Sequence, residues 1–381
     1  MPDINNLSRK SGPYGHYLPT LDGWRAVAIL GVLVYHGVSS LFAADGPYPN
    51  GVLHALVGYS TLGVPIFFGI SGFLICTRLL QEDCQTGRIS LPAFYLRRSC
   101  RILPPYFTYL GVLGLLAAVG VITVQPVEWS SSLLFYRNYV NPAHFGSYTD
   151  HFWSLAVEEH FYLLWPGLLI LFGSRRARWA VVLLALAVAA WRAFEIRHQW
   201  LVGILPGARS NTRTDLRIDG LLWGCWVALL YNVPRHRERL TRWLSSWKWL
   251  AAVGLFVVCL AFRPYLTPLW LAFLLPLILV GTVLHPSTLV GRLLEFSPLR
   301  WIGRLSYSLY IWQQLFLIAK DEIHFFPLGP LQRLPLNYLV VFVCAVLSYY
   351  FIERPMVRLG HRLTDPRRAE LPLANAELSS A

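Results

Sequence analysis

The sequence predicts an all-α protein: a polytopic membrane helix bundle of about ten transmembrane helices with both termini in the cytoplasm. Three observations point there. The 381 residues are 55% hydrophobic and only 14% charged, whereas a soluble chain carries about 25% charged residues. The apolar residues gather into separate runs of about twenty, and a helix of that length crosses a hydrocarbon core of about 30 Å. The 33 Lys and Arg residues are also unevenly placed. If the spans alternate from a cytoplasmic N-terminus, most of them fall inside: Arg9 and Lys10; Arg78, Arg88, Arg97, Arg98 and Arg101; Arg175, Arg176 and Arg178; Arg235, Arg237, Arg239, Arg242 and Lys248; Arg292, Arg300 and Arg304; Arg354, Arg358, Arg362, Arg367 and Arg368. That asymmetry sets orientation in multi-pass proteins. It accounts for the net charge of +13 as membrane topology, so a lipid bilayer is the expected partner and nucleic acid is not.

In order, the spans are expected near residues 24–43, 56–77, 106–124, 152–172, 178–195, 216–231, 248–262, 268–285, 302–319 and 336–353. The first 20 residues are polar and contain Pro and Gly, so no cleavable signal peptide is expected and the first span directs insertion. The second contains GVPIFFGISGFLI (63–75), whose Gly69, Ser71 and Gly72 allow close approach of a helix or ligand. The third follows RRSCRILPPY, the fourth opens on FWSLAVEEHFYLLWP and the sixth on TDLRIDGLLWG. The ninth carries YSLYIWQQLF, and the last ends at YYFIERP. Residues 1–359 form the integral-membrane domain, and 360–381 are a polar cytoplasmic tail with no evident site. The six cysteines show no CxxC spacing, so neither a disulfide framework nor a metal site is expected.

Polar residues within such spans mark the bundle interior, because a charge facing lipid is costly. Arg25 and His36 lie in one span, LDGWRAVAILGVLVYHG. Eleven helical steps return to nearly the same face, about 16 Å further along. The pair offers a fixed cation at one depth and a titratable base at another. Sorted by depth, Asp22, Arg25, Arg97, Arg98, Arg101, Glu353 and Arg354 form a cationic cytoplasmic layer. His36, Glu158, Glu159, Asp215, Arg217, Asp219, Gln313 and Gln314 form a deeper, mixed one.

Arginine forks match phosphate oxygens, so the inner layer suits a polyanionic ligand; the same residues also serve as anchors to anionic headgroups. His36 titrates near neutrality and suits a general base, or it is a packing histidine held by a neighbouring helix. Glu158 shares a face with Tyr162; it or Glu159 could orient His36, or tie helices together. Ser71 lacks a GxSxG elbow, so a serine nucleophile is not expected.

Together these segments resemble the bacterial membrane-bound acyltransferase family 3, the O-acetyltransferase group that modifies surface polysaccharides. The resemblance runs from about residue 17 to 359. Arg25 and His36 meet the opening motif of a basic residue, ten residues and a histidine. FFGISGFLI matches the second-span signature, and RRSCRILP the arginine motif with Arg98 and Arg101 in its RxxR positions. FWSLAVEEHFYLLWP matches WSLxxEExFY, and WIGRLSYSLYIWQQ and YYFIERP follow in the family's order.

The resemblance implies a multi-pass protein of the bacterial inner membrane. It would move an acyl group, acetyl first, from acetyl-CoA or another acyl-CoA to a hydroxyl of a glycan or glycolipid acceptor. Arg25, Arg98 and Arg101 would bind coenzyme A phosphates. His36 would act as base or carry the acyl group transiently, with Glu158 or Glu159 orienting it. Ser71, Asp215, Arg217, Asp219 and Gln313 would line the acceptor site. Two departures are noted. Gln313 stands where members usually have histidine, and it cannot serve as acid or base. The esterase-like extracytoplasmic extension of some members is not expected here. From another class, a proton-coupled transporter or flippase of an anionic or glycolipid substrate would use the same buried charges.

Overall fold

The computed structural model describes residues 11–12, 15–42, 51–140, 148–204, 212–262, 267–318 and 327–364. Arg9, Lys10, Arg367, Arg368, most of the expected tail and both termini lie outside the described residues. Apart from a pair of two-residue antiparallel strands, Ser11–Gly12 and Gly15–His16, the regular structure is helical. In chain order the helices are α1 (Pro19–Phe42), α2 (Gly51–Ser60), α3 (Gly63–Thr86), α4 (Leu91–Ala118), α5 (Pro126–Leu133), α6 (Phe152–His198), α7 (Trp200–Ile204), α8 (Thr214–Arg217), α9 (Asp219–Tyr231), α10 (Pro234–Trp243), α11 (Ser246–Phe262), α12 (Thr267–Leu284), α13 (Leu289–Leu294), α14 (Ser297–Phe316), α15 (Leu336–Ser348) and α16 (Arg354–Leu363).

Among the described residues, five helical stretches are long and apolar enough to cross a membrane, or six if α10 and α11, bent by 73° at their junction, act as one span. The sequence expectation of about ten is higher for identifiable reasons. The expected spans 152–172 and 178–195 both fall in α6, whose 47 residues would reach about 70 Å if straight. They are not straight: Gly173 sits at φ 63°, ψ 160°, a conformation open to glycine and poorly tolerated by other residues. His160 Nδ1 lies 2.6 Å from Thr214 Oγ1, and Trp191 Nε1 donates to Asp215 at 2.7 Å. Along a straight helix His160 and Trp191 would be about 46 Å apart. Both reach adjacent residues of α8, so α6 is a hairpin of two antiparallel arms turning at Gly173. The remaining shortfall comes from α9, only 13 residues long, from α12, whose apolar part Pro268–Leu284 is also a shorter helix, and from α14, whose 20 residues include Arg300, Arg304, Gln313 and Gln314.

The described chain forms two compact units. The first draws on residues 1–89, 124–306 and 317–326. Its core joins Ala28 of α1, Ile66 and Ile70 of α3, Phe256 of α11, and Leu274, Leu275, Ile278 and Leu279 of α12. Helices α3 and α9 meet backbone to backbone. A Cβ on Gly224 would lie 2.6 Å from the Gly69 carbonyl oxygen and 2.9 Å from the Phe73 nitrogen, and one on Gly72 would collide with the Leu221 carbonyl. Small residues permit this approach, which lipid exclusion alone does not drive. Gly224→Ala should therefore lower the thermal unfolding midpoint in detergent by the equivalent of about 1–3 kcal/mol of overpacking. Gly254→Ala, where the added methyl meets nothing within 4 Å, should leave it unchanged. Equal midpoints for the two variants would contradict the close contact.

The second unit draws on residues 90–123, 307–316 and 327–381. The Ser90 hydroxyl caps α4 at its start. The Tyr307 hydroxyl donates to the Ile102 carbonyl at 2.7 Å, Ser308 donates to Glu353 at 2.8 Å, and Trp312 meets Tyr109 edge-on at 5.6 Å. A π-helical turn, Tyr349–Glu353, joins α15 to α16 and carries the buried Glu353. Such turns bulge the helix and re-aim side chains.

Candidate active site

The first unit presents α1 with both expected polar residues on one continuous helix. Near its start, Arg25 Nη1 lies 3.3 Å from the buried Asp22 carboxylate. The Tyr17 hydroxyl also donates to Asp22, and Arg300 donates to the Tyr17 oxygen at 3.1 Å while its guanidinium sits 5.5 Å from that ring. Arg25 is thus one member of a four-residue cluster with two cations and one carboxylate. Tyr17 and Arg300 were not legible as members, since they lie outside the motif and on a distant helix. The end of α1 is fixed here by glycines: a Cβ on Gly303 would collide with the Asp22 carbonyl, and one on Gly23 with Leu294.

His36 lies in the second half of α1, half-buried, its ring edge-on to Tyr35 at 5.1 Å. It makes no hydrogen bond to any described residue, and Asp150 lies near enough to act on it through its charge. Asp150 is in turn 3.7 Å from Arg137 Nη2. Arg137 is fully buried and is held by Glu128 at 3.6 Å, the Thr149 hydroxyl at 3.2 Å and the Val140 carbonyl at 2.9 Å. The other oxygen of Glu128 accepts from the Gln125 nitrogen at 3.0 Å, capping α5. The carboxylate facing His36 therefore comes from the segment preceding α6, braced by a buried arginine. Its only sequence signal was an acidic residue two positions before the FWSL motif.

Glu158 is engaged differently. Ser71 of α3 donates to Glu158 Oε1 at 2.9 Å, and Tyr162 donates to Oε2 at 2.8 Å. The shared face of Glu158 and Tyr162 is thus a hydrogen bond. Both carboxylate oxygens are occupied in a link between α3 and the first arm of α6. Glu159 is rotated from Glu158 by about 100° around the helix.

The three charged residues expected to line the acceptor site lie in and beside α8 and α9. Asp219 is bound by both nitrogens of Arg192, at 3.0 and 2.8 Å, and Arg192 also donates to the Leu216 carbonyl at 2.8 Å. Asp215 is bound by two nitrogens of Arg213, at 3.1 and 2.8 Å, and by Trp191. Burial opposes ionisation of Asp215, but the Arg213 and Trp191 hydrogen bonds outweigh it and hold the carboxyl below its ordinary range. Arg213 also pairs with Glu195 at 2.9 Å, and the Arg217 guanidinium lies 6.0 Å from the Trp153 ring centre. These pairs fasten the second arm of α6 to the segment 213–219. Arg192 and Arg213, the partners sequence reasoning missed, sit 27 and 2 residues from their acids.

In the second unit, the Arg98 guanidinium lies over Phe94 at 5.9 Å on its own helix, and Arg101 is half-buried. Gln313 is fully buried; its amide nitrogen donates to Gln314 at 3.3 Å, and its carbonyl oxygen has no partner among the described residues. No group of three His, Cys, Asp or Glu suited to a metal occurs among the described residues.

Several helices long and apolar enough to cross a membrane, with a half-buried histidine near a braced carboxylate, define the class of a multi-pass membrane protein with ionisable groups in its interior. The chain belongs to the acyltransferase family 3: its acyltransferase domain matches residues 18–354. Among curated relatives, it is 30% identical over 377 residues to the Bacillus subtilis protein named "Putative peptidoglycan O-acetyltransferase YrhL", covering 91% of this chain and 56% of that one. It is 27% identical over 374 residues to the peptidoglycan O-acetyltransferase OatA of Listeria monocytogenes, covering 90% and 56%. The chain thus spans little more than half the length of these relatives. No solved structure matches it.

Proposed function

We propose that the chain is an inner-membrane O-acyltransferase that moves an acyl group, acetyl first, from cytoplasmic acyl-CoA to a hydroxyl of a cell-wall glycan or related envelope glycolipid. The observation that carries this reading is His36: an imidazole within a span, free of hydrogen bonds to described residues and facing Asp150. Membership of the family and the names of its relatives support the reaction class.

In this reading the acceptor hydroxyl gives its proton to His36 as its oxygen attacks the thioester carbonyl. The new C–O bond forms, the C–S bond breaks, and the coenzyme A thiolate takes the proton back from the imidazolium. Asp150 stabilises that imidazolium through its charge, a positioning role. Arg25, with Tyr17 and Arg300 beside it, binds phosphate groups of the donor; Arg98 and Arg101 are further candidates for that task. Gln313, with its unpartnered carbonyl, is the acceptor-side candidate of the second unit.

The test is turnover of radiolabelled acetyl-CoA by the purified full-length protein in bilayers containing a glycolipid acceptor. A transporter would give none. Arg25→Ala should raise the KM for acetyl-CoA about tenfold or more, the loss of one charge-assisted phosphate contact, with kcat nearly unchanged. A fall in kcat at unchanged KM would remove Arg25 from donor binding.

A further inference from the structure

One cationic surface of the first unit takes no part in the chemistry above. Helix α10, PRHRERLTRW, buries none of its residues. Arg235, Arg237, Arg239 and Arg242 are exposed on it, while His236, Leu240 and Thr241 turn inward. Two contacts seat the inward face: His285 meets the Thr241 carbonyl at 3.1 Å, and Arg178 Nη1 lies 2.6 Å from His236 Nε2. The second contact brings the turn of the α6 hairpin, with exposed Arg175 and Arg176, beside α10. At this same end stand three indoles exposed by 75%, 71% and 68%, Trp179, Trp243 and Trp247. Lys248 bridges the last two, its ammonium 5.5 and 5.6 Å from their rings. The axis of α10 is bent 73° from the apolar helix that follows.

Each property has the same physical consequence. A helix steeply inclined to its neighbouring span, basic on one side and seated on the other, lies along a membrane surface. Indoles prefer the headgroup level, because the ring is apolar and its N–H edge is polar. Clustered arginines there attract anionic lipids, about fivefold in affinity for each. The single acid of α10, Glu238, leaves the surface strongly positive.

We infer that α10 and the α6 turn form a binding site for the headgroups of anionic phospholipid, with Trp179, Trp243 and Trp247 flanking the glycerol region. The site brings together cations separated by more than fifty residues in sequence, a juxtaposition no single motif announces.

The test is native mass spectrometry of the full-length protein in mild detergent, titrated with phosphatidylglycerol or with phosphatidylcholine. Wild type should retain phosphatidylglycerol over phosphatidylcholine. The triple variant Arg237→Gln, Arg239→Gln, Arg242→Gln should retain it about a hundredfold less, about fivefold for each arginine lost, with an unchanged chromatographic profile and unfolding midpoint. These side chains are exposed, so folding survives their loss. Equal phosphatidylglycerol retention by variant and wild type would overturn the proposal. So would full displacement by inorganic phosphate, which would mark a free-phosphate site instead.

Discussion

Replacing His36 with alanine should abolish useful acyl transfer while leaving a folded protein. A positioned general base contributes about 10²- to 10⁴-fold in rate, and no other residue of α1 offers an imidazole. His36 makes no hydrogen bond to the described residues, so its loss strands no partner and stability should hold. Asp150→Asn should cut the rate less, because the base remains and only the charge that steadies its protonated form is lost. Label from acetyl-CoA followed into envelope glycan, in membranes matched for protein level, reads both effects. Wild-type transfer by His36→Ala would end the assignment, and an unaltered rate in Asp150→Asn would remove the positioning role.

The second large effect concerns folding. Arg192→Met should destabilise the protein by about 3–5 kcal/mol, because it leaves the Asp219 carboxylate buried without its bidentate partner. Adding Asp219→Leu should restore much of that loss, since an apolar pair of similar volume leaves no uncompensated charge. Thermal unfolding of the three proteins in the same detergent decides it. A single variant as stable as wild type, or a double variant no better than the single, would show that the pair is not the fastening it resembles.

The sequence and the structure diverge in an instructive way. Helical spans were legible because hydropathy is local: the run in α1, the two apolar stretches in α6 and the close-packing glycines of α3 all announced themselves. Helical spacing also placed Glu158 over Tyr162. Partnerships across helices were not legible, because nothing in a linear string ties Arg192 to Asp219 or Arg300 to Tyr17. Depth sorting grouped Asp215 and Asp219 with His36 as a polar layer, yet each is already held by its own arginine. It also passed over Asp150, which lies just outside a span and reaches His36 only because the chain between α5 and α6 is braced by Arg137.

The hairpin in α6 has a consequence for how the protein is made. Its two arms leave the ribosome as two apolar stretches parted by a short cationic turn, and a translocation channel reads such stretches by length and flanking charge. Gly173 supplies the bend, and Arg175, Arg176 and Arg178 put positive charge beside it, the kind of charge that resists translocation. The Arg192–Asp219 and Arg213–Glu195 pairs join the segment 213–219 to the second arm, so they close only once that arm is in place.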